Sequence, residues 1–167
     1  MTSQKDSITL PKLTEEEVRK NFAKLIEDHQ TENQPSYGRQ FQQLLKLQEV
    51  RFEEGIVGKL IFTINIPKSL KNIFNITHGG AVAAIIDDST WAAVYAFTGK
   101  YMYSMKLINE FMSGVPIEKD LLLEVQVNKF NKNLAFSEAV IRDPKTKSPL
   151  VKGGNVMAIP PEKKHKI

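Results

Sequence analysis

Residues 79–98 limit the possible folds more than any other part of this 167-residue chain. Alanine, valine and isoleucine fill half of the segment, which leaves almost no polar face if it is helical. A helix that is apolar nearly all round is buried on every side. At about 1.5 Å per residue, it would form a rod of about 30 Å. The fold must therefore supply a surface that wraps this rod.

The remaining segments have a different periodicity, in which apolar and polar residues alternate. Period two with one polar face is typical of antiparallel strands that cover something on one side. We predict strands at residues 59–66, 104–111, 121–130, 134–141 and 150–159. The sequence therefore predicts an α+β fold, in which an antiparallel sheet of five to six strands wraps one long central helix.

The N-terminal part has helical signals of its own. Thr14 and Glu17 form a capping box, and apolar residues such as Phe22 follow at helical spacing. This pattern predicts an amphipathic helix that ends before Pro35, with a second helical segment around Phe41. We divide the chain into an N-terminal helical extension (1–46), a core domain (47–160) and a basic C-terminal tail (161–167).

Composition narrows the possible partners and cofactors. A net charge of +4 suits an anionic partner, but the lysines are spread along the chain, so we expect a small phosphate-bearing ligand and no nucleic acid. The absence of cysteine excludes disulfides, thiolate zinc sites and a cysteine nucleophile. The three histidines lie far apart in the sequence, so we expect no metal site.

We expect neither a membrane span nor a secretory signal in this sequence. The longest apolar stretch, residues 81–97, is interrupted by Asp87 and Asp88, so we expect no membrane span. We see no secretory signal and expect a cytoplasmic or mitochondrial location.

We expect a functional site where His78-Gly79-Gly80 begins the long helix. Glycines let another molecule approach the backbone closely, and the first amides of a helix have no partner within it. Such an amide can stabilise the oxyanion of a thioester under attack. Packing glycines would produce the same pattern.

Asp87 and Asp88 lie in the middle of the same helix, among apolar residues. A carboxyl group buried in such surroundings has a raised pKa, which suits a general base or a nucleophile. The alternative is a structural acid that caps a nearby loop, and periodicity does not choose between the two aspartates. Nine residues separate His78 from Asp87, about 13 Å along the helix and on opposite sides of it. If both ends act on one thioester, a second copy of the chain must supply one of them.

These residues resemble the signature of hotdog-fold acyl-CoA thioesterases of the phenylacetyl-CoA type. The resemblance rests on Asn72, on His78-Gly79-Gly80 and on Asp87 nine residues after the histidine, and it extends over about residues 47–159. It implies that acyl-CoA is hydrolysed to free acid and coenzyme A, which is part of the substrate, so no separate cofactor is expected.

The resemblance also implies roles for individual residues. Asp87 would be the base or nucleophile, the Gly79 amide would polarise the thioester carbonyl, and Asn72 would hold the carbonyl or the attacking water. Ser104 would orient that water or Asp87, and we expect His78 to fix the loop.

Assembly and coenzyme A binding follow from the same resemblance. It implies a homodimer or homotetramer with Asp87 and the Gly79 loop on different subunits. Gly80, Lys152 and the Gly153-Gly154 backbone would contact coenzyme A. The alternatives are a hydroxyacyl-thioester dehydratase of the same fold and a non-catalytic acyl-CoA binding module.

Overall fold

The computed structural model describes residues 13–31 and 36–160, so the predicted basic tail lies outside the described residues. Three α-helices and six strands follow in chain order, with a short 3₁₀ turn at Lys68–Leu70. They are α1 (Glu15–Thr31), α2 (Arg39–Gln42), β1 (Lys46–Arg51), β2 (Gly58–Asn65), α3 (Gly79–Thr98), β3 (Tyr103–Phe111), β4 (Asp120–Phe130), β5 (Leu134–Arg142) and β6 (Pro149–Ala158).

The six strands form one antiparallel sheet with the order β1-β2-β4-β5-β6-β3. Along β4, buried and half-buried residues alternate, as expected when one face covers a core. The buried face packs on α3, so the sheet wraps the long helix. This arrangement confirms the predicted hotdog fold and fixes the strand number at six.

The central helix α3 begins and ends where its sequence provides caps. The His78 side chain caps its first turn, and Gly99 follows its last residue in the left-handed conformation, with a φ of 64°. Twelve of its residues are buried. No helix within the described ranges is long and apolar enough to cross a membrane.

The N-terminal helices pack mainly on α3. Thr14 and Glu17 form the predicted capping box at the start of α1. Asn21 Nδ2 on α1 donates to Ala96 O on α3 at 3.0 Å. The short helix α2 lies near the middle of α3, where Gln42 contacts Asp88. The extension therefore forms one wall of the region around the two aspartates.

Candidate active site

Asp87 is held on one side by donors from two neighbouring strands. Its Oδ1 accepts a hydrogen bond from Ser104 Oγ at 2.5 Å and another from Asn155 Nδ2 at 2.8 Å. Within residues 13–31 and 36–160, no group donates to Oδ2. The carboxylate is therefore oriented through one oxygen, and the other is left for a bound molecule.

Asn155 connects these groups from beneath the site. It is only 2% exposed, and its Nδ2 also lies 3.0 Å from Ser104 Oγ and 3.1 Å from Thr90 Oγ1. The strand pairing of β3 with β6 is irregular just after Ser104, and such a bulge redirects side chains next to it. Sequence reasoning missed Asn155, because no local motif links β6 to the middle of α3.

Asp88 points away from this network and towards the N-terminal extension. Its Oδ1 accepts from Gln42 Nε2 at 3.0 Å, and Gly38 packs against the carboxyl group without space for a Cβ. Burial raises the pKa of Asp88 to about 7, opposed by the Gln42 hydrogen bond and reinforced by the charge of Asp87. The two aspartates, which periodicity did not separate, thus lie in different environments.

A cleft of about 320 Å³ opens beside Asp87. Asp88 and Trp91 from α3 line it together with Gln42 and Ser36 from the N-terminal extension, and Ser104 lies near Asp87. The cleft is therefore bounded by α3, the start of β3 and the N-terminal extension.

At the start of α3, His78 and the two glycines have separate tasks. His78 Nδ1 accepts a hydrogen bond from the Gly80 amide at 3.0 Å, so this ring nitrogen caps the helix. The Gly79 amide has no acceptor in the part of the chain that the structure describes. A helix's first amides attract negative charge, so Gly79 N–H is the donor left for an oxyanion.

The loop before His78 is organised by Asn72. Its Oδ1 accepts from the amides of Phe74 at 2.8 Å and Ile76 at 3.4 Å. Asn75 takes the left-handed conformation, with a φ of 58°, which asparagine tolerates better than most residues. The side-chain oxygen of Asn72 is thus used inside the loop, and its Nδ2 is the group available to bind a ligand.

This loop borders a second and larger cleft of about 790 Å³. Lys71, Asn72, His78 and Gly79 line it, together with the exposed side chain of Phe74. Lys71 supplies positive charge, and the lining includes no carboxylate. The chemistry of this cleft suits an anionic or oxyanionic group.

One protomer does not bring Asp87 and Gly79 together. They lie eight residues apart on one straight helix, which corresponds to about 12 Å along its axis. Asn72 and His78 lie with Gly79, whereas Ser104 lies with Asp87. The predicted catalytic residues therefore form two half-sites at different points of α3.

The residues predicted to bind coenzyme A phosphates are also divided. Gly80 belongs to the cap of α3, whereas Lys152, Gly153 and Gly154 border a groove of about 290 Å³ on the sheet. Glu110 and Glu138 line this same groove. A Cβ at Gly153 would overlap the Ile86 methyl group on α3. Packing against α3 therefore favours glycine at 153.

Comparison with known proteins identifies the fold. No family model matches the sequence, and no curated protein matches it. Among solved structures, zebrafish thioesterase superfamily member 2 has a TM-score of 0.69 at 18% identity, covering 89% of this chain and 99% of its own. The Escherichia coli PaaI protein from the phenylacetic acid degradation operon has a TM-score of 0.68 at 14% identity, covering 87% and 95%.

A third neighbour was solved with a ligand. A Streptococcus mutans protein bound to acetyl CoA has a TM-score of 0.58 at 16% identity, covering 69% of this chain and 89% of its own. At these identities the likeness establishes the fold, which is that of the thioesterase superfamily members.

Proposed function

We propose that this protein hydrolyses acyl-CoA thioesters to a free acid and coenzyme A, in sites that two protomers share. The observation that carries the proposal is the pair of half-sites on α3. One presents the open oxygen of Asp87, and the other presents the unpaired Gly79 amide. These are the two groups that thioester hydrolysis requires, a base or nucleophile and an oxyanion donor.

The edge of the sheet supports a shared site. β3 is an edge strand, and its exposed apolar side chains include Met105, Ile108 and Phe111. An edge strand with unpaired amides and carbonyls is a template for pairing with another chain, and exposed apolar surface marks an interface. Phe111 also lies next to Gly79, and Ser104 lies on the same strand beside Asp87. Pairing two copies of β3 would therefore place the partner's half-site near Asp87.

The reaction can then start at Asp87 Oδ2 in either of two ways. As a base, Oδ2 takes a proton from water while the water oxygen bonds to the thioester carbon. The carbonyl oxygen becomes an oxyanion that accepts from Gly79 N–H of the partner protomer, and the leaving thiolate takes up the proton when the C–S bond breaks. As a nucleophile, Oδ2 attacks the carbon itself, and the C–S bond breaks to release the thiolate and leave a mixed anhydride. One water then hydrolyses this anhydride, which regenerates the Asp87 carboxylate, frees the acid and supplies the proton that the thiolate takes up.

The solved neighbours bear on the substrate only by analogy. Relatives of the same fold are named thioesterases, and one was solved with acetyl CoA. In this chain, Lys71 offers a positive charge in the Gly79 cleft, while Lys152 stays a predicted contact for phosphate. The dehydratase alternative would require His78 to act through Nε2, because His78 Nδ1 already accepts the capping hydrogen bond.

A mixing experiment tests the shared site and the activity together. Asp87→Ala removes one half-site, and Gly79→Pro removes the amide hydrogen of the other. Proline is well tolerated at the first position of a helix. Each variant should release thiol from acyl-CoA at no more than about 1% of the wild-type rate, but dimers reassembled from an equal mixture should recover about a quarter of that rate. Half of the dimers would then be mixed, with one intact site of two in each.

The outcomes of the mixing experiment distinguish failure of the shared-site proposal from failure of the hydrolase proposal. No recovery after verified subunit exchange would mean that each site belongs to one protomer. No thiol release by the wild-type protein, across short, long and aromatic acyl-CoAs, would reject the hydrolase itself. Tight acyl-CoA binding without release would then favour the binding module.

A further inference from the structure

The cleft beside Asp87 can receive only one end of an acyl-CoA molecule. Its lining in the described part of the chain contains two carboxyl groups and no lysine, arginine or histidine. Coenzyme A carries phosphates, which such a lining repels, whereas the cleft near Gly79 contains Lys71 and no acid. If the thioester carbon lies at Asp87 Oδ2, the acyl group therefore extends into the 320 Å³ cleft.

The lining of this cleft is poorly suited to a plain hydrocarbon chain. Beyond the reactive Asp87 and Ser104, it presents Asp88, Gln42 and Ser36, with Trp91 as its large apolar surface. A polar group that loses water without gaining a hydrogen bond costs about 1–3 kcal/mol. An aliphatic acyl group would impose that loss on several side chains at once.

Gln42 is the residue of this cleft whose hydrogen bonding indicates a polar ligand. The residue is only 4% exposed, and its Oε1 has no hydrogen-bond partner among residues 13–31 and 36–160. Its Nε2 is used by Asp88 Oδ1, and Gln42 is the only residue in those ranges that donates to the Asp88 carboxyl group. Buried amide oxygens normally accept a hydrogen bond, so this atom calls for a donor.

We propose that the cleft is an acyl subsite that selects acyl groups bearing a hydroxyl, which the Gln42–Asp88 pair recognises. A hydroxyl both donates and accepts, so it can donate to Gln42 Oε1 or to the Asp88 carboxylate. It can also accept from Asp88 when that group is protonated, and the raised pKa of about 7 makes both forms available near neutrality. This inference rests on the proposed hydrolase function and names its substrate class.

The test compares acyl-CoAs that differ by one oxygen atom. Steady-state kcat/KM is measured for hexanoyl-CoA, 3-hydroxyhexanoyl-CoA and 6-hydroxyhexanoyl-CoA. We expect one hydroxylated substrate to exceed hexanoyl-CoA by about tenfold, since a site that hydrogen-bonds a substrate hydroxyl discriminates against its absence. Gln42→Leu, which keeps the volume and removes the amide, should reduce this ratio to about 1.

A matched control and a second variant protect the conclusion. Gln40→Leu makes the same change on an exposed residue of α2 and should leave the ratio unchanged. Asp88→Asn keeps the size of the side chain but removes the carboxyl group that is proposed to bind the hydroxyl. It should therefore lower the ratio even if Gln42→Leu fails to fold.

Two results would overturn the inference while the hydrolase stands. One is a wild-type enzyme that hydrolyses hexanoyl-CoA at least as well as both hydroxylated substrates. The other is a preference that both Gln42→Leu and Asp88→Asn leave intact. If Asp87-dependent thiol release is absent with all three substrates, the proposed function fails first.

Discussion

The buried amide of Asn155 donates a hydrogen bond to Oδ1 of Asp87 at 2.8 Å. Asp87 lies in the middle of α3, and Asn155 lies on β6, 68 residues later in the chain. The bond fixes the carboxylate from the side opposite to Oδ2. The geometry of the reactive oxygen therefore depends on how the helix packs against the sheet.

Asn155→Ala should therefore lower kcat more than it raises KM. Loss of the amide frees the Asp87 carboxylate to rotate, and a misplacement of about 1 Å can reduce a rate by about 100-fold. Steady-state kinetics over a range of acyl-CoA concentrations separate kcat from KM.

Ser137→Ala is the matched control for this variant. Ser137 is buried on the neighbouring strand, and its hydroxyl contacts the Asn155 backbone carbonyl rather than Asp87. It should leave kcat and KM unchanged. A kcat that falls equally in both variants would assign Asn155 a purely structural role.

Asp88 gives the folded protein a stability that depends on pH in a predictable direction. Its pKa of about 7 lies above the value of about 4 for a free aspartate, so the folded state binds more protons in this window. Stability is then highest below pH 4 with respect to this group and falls as pH rises to 7. Asp88→Asn should flatten this decline and be more stable than the wild type at pH 8, as measured by urea unfolding.

Asp143→Asn offers a control of the opposite sign. The backbone amides of Thr146 and Lys145 lower the pKa of Asp143, so its stabilising effect is present above the unfolded pKa and is lost on acidification. This variant should be less stable than the wild type at pH 7 and equal to it at low pH. An Asp88→Asn protein that is less stable than the wild type at pH 8 would contradict the burial argument.

The adjacent glycines of β6 should respond differently to alanine. A Cβ at Gly153 overlaps Ile86 on α3, whereas the nearest atom to a Cβ at Gly154 is Ser137 O at 3.9 Å. Overpacking of a core typically costs about 1–3 kcal/mol, so Gly153→Ala should lower the free energy of unfolding and Gly154→Ala should not. A KM for acyl-CoA that rises in Gly154→Ala at unchanged stability would support the predicted phosphate contact, and an unchanged KM would reject it.

Local patterns in the sequence were sufficient to predict the central helix and most of the sheet. Residues 79–98 have almost no polar face, and these predicted bounds are the observed bounds of α3. The strand β1 was not predicted individually, because as an edge strand only Val50 is buried in it and it shows no period of two. Most residues of β1 are exposed to solvent at the edge of the sheet, so they are polar rather than alternating with core residues.

The candidate site was predictable only where its residues follow one another in the chain. The Gly79 amide belongs to a local motif, and Asp87 could be placed by its spacing from His78. The choice between Asp87 and Asp88 required the contacts of β3, β6 and α2, which come together only in the folded chain. Gln42 and Asn155 were missed for the same reason, since neither lies in a motif.

The Gly79 amide can be tested with two substitutions at one position. A Cβ at Gly79 would lie 3.7 Å from the Phe111 ring, which is an ordinary contact, so alanine fits. His78 has the extended ψ of 136° that a residue before proline prefers, so Gly79→Pro should fold with the helix intact.

The two variants then differ in the one hydrogen that matters. Gly79→Ala keeps the amide and should lose at most a few-fold in kcat, whereas Gly79→Pro lacks it and should lose about 10²–10³-fold, the usual effect of removing an oxyanion donor. Circular dichroism and thermal melting establish that both are folded. Equal kcat values for the two folded variants would mean that the oxyanion is stabilised elsewhere, and Asn72 Nδ2, which borders the same cleft, would be the next group to test.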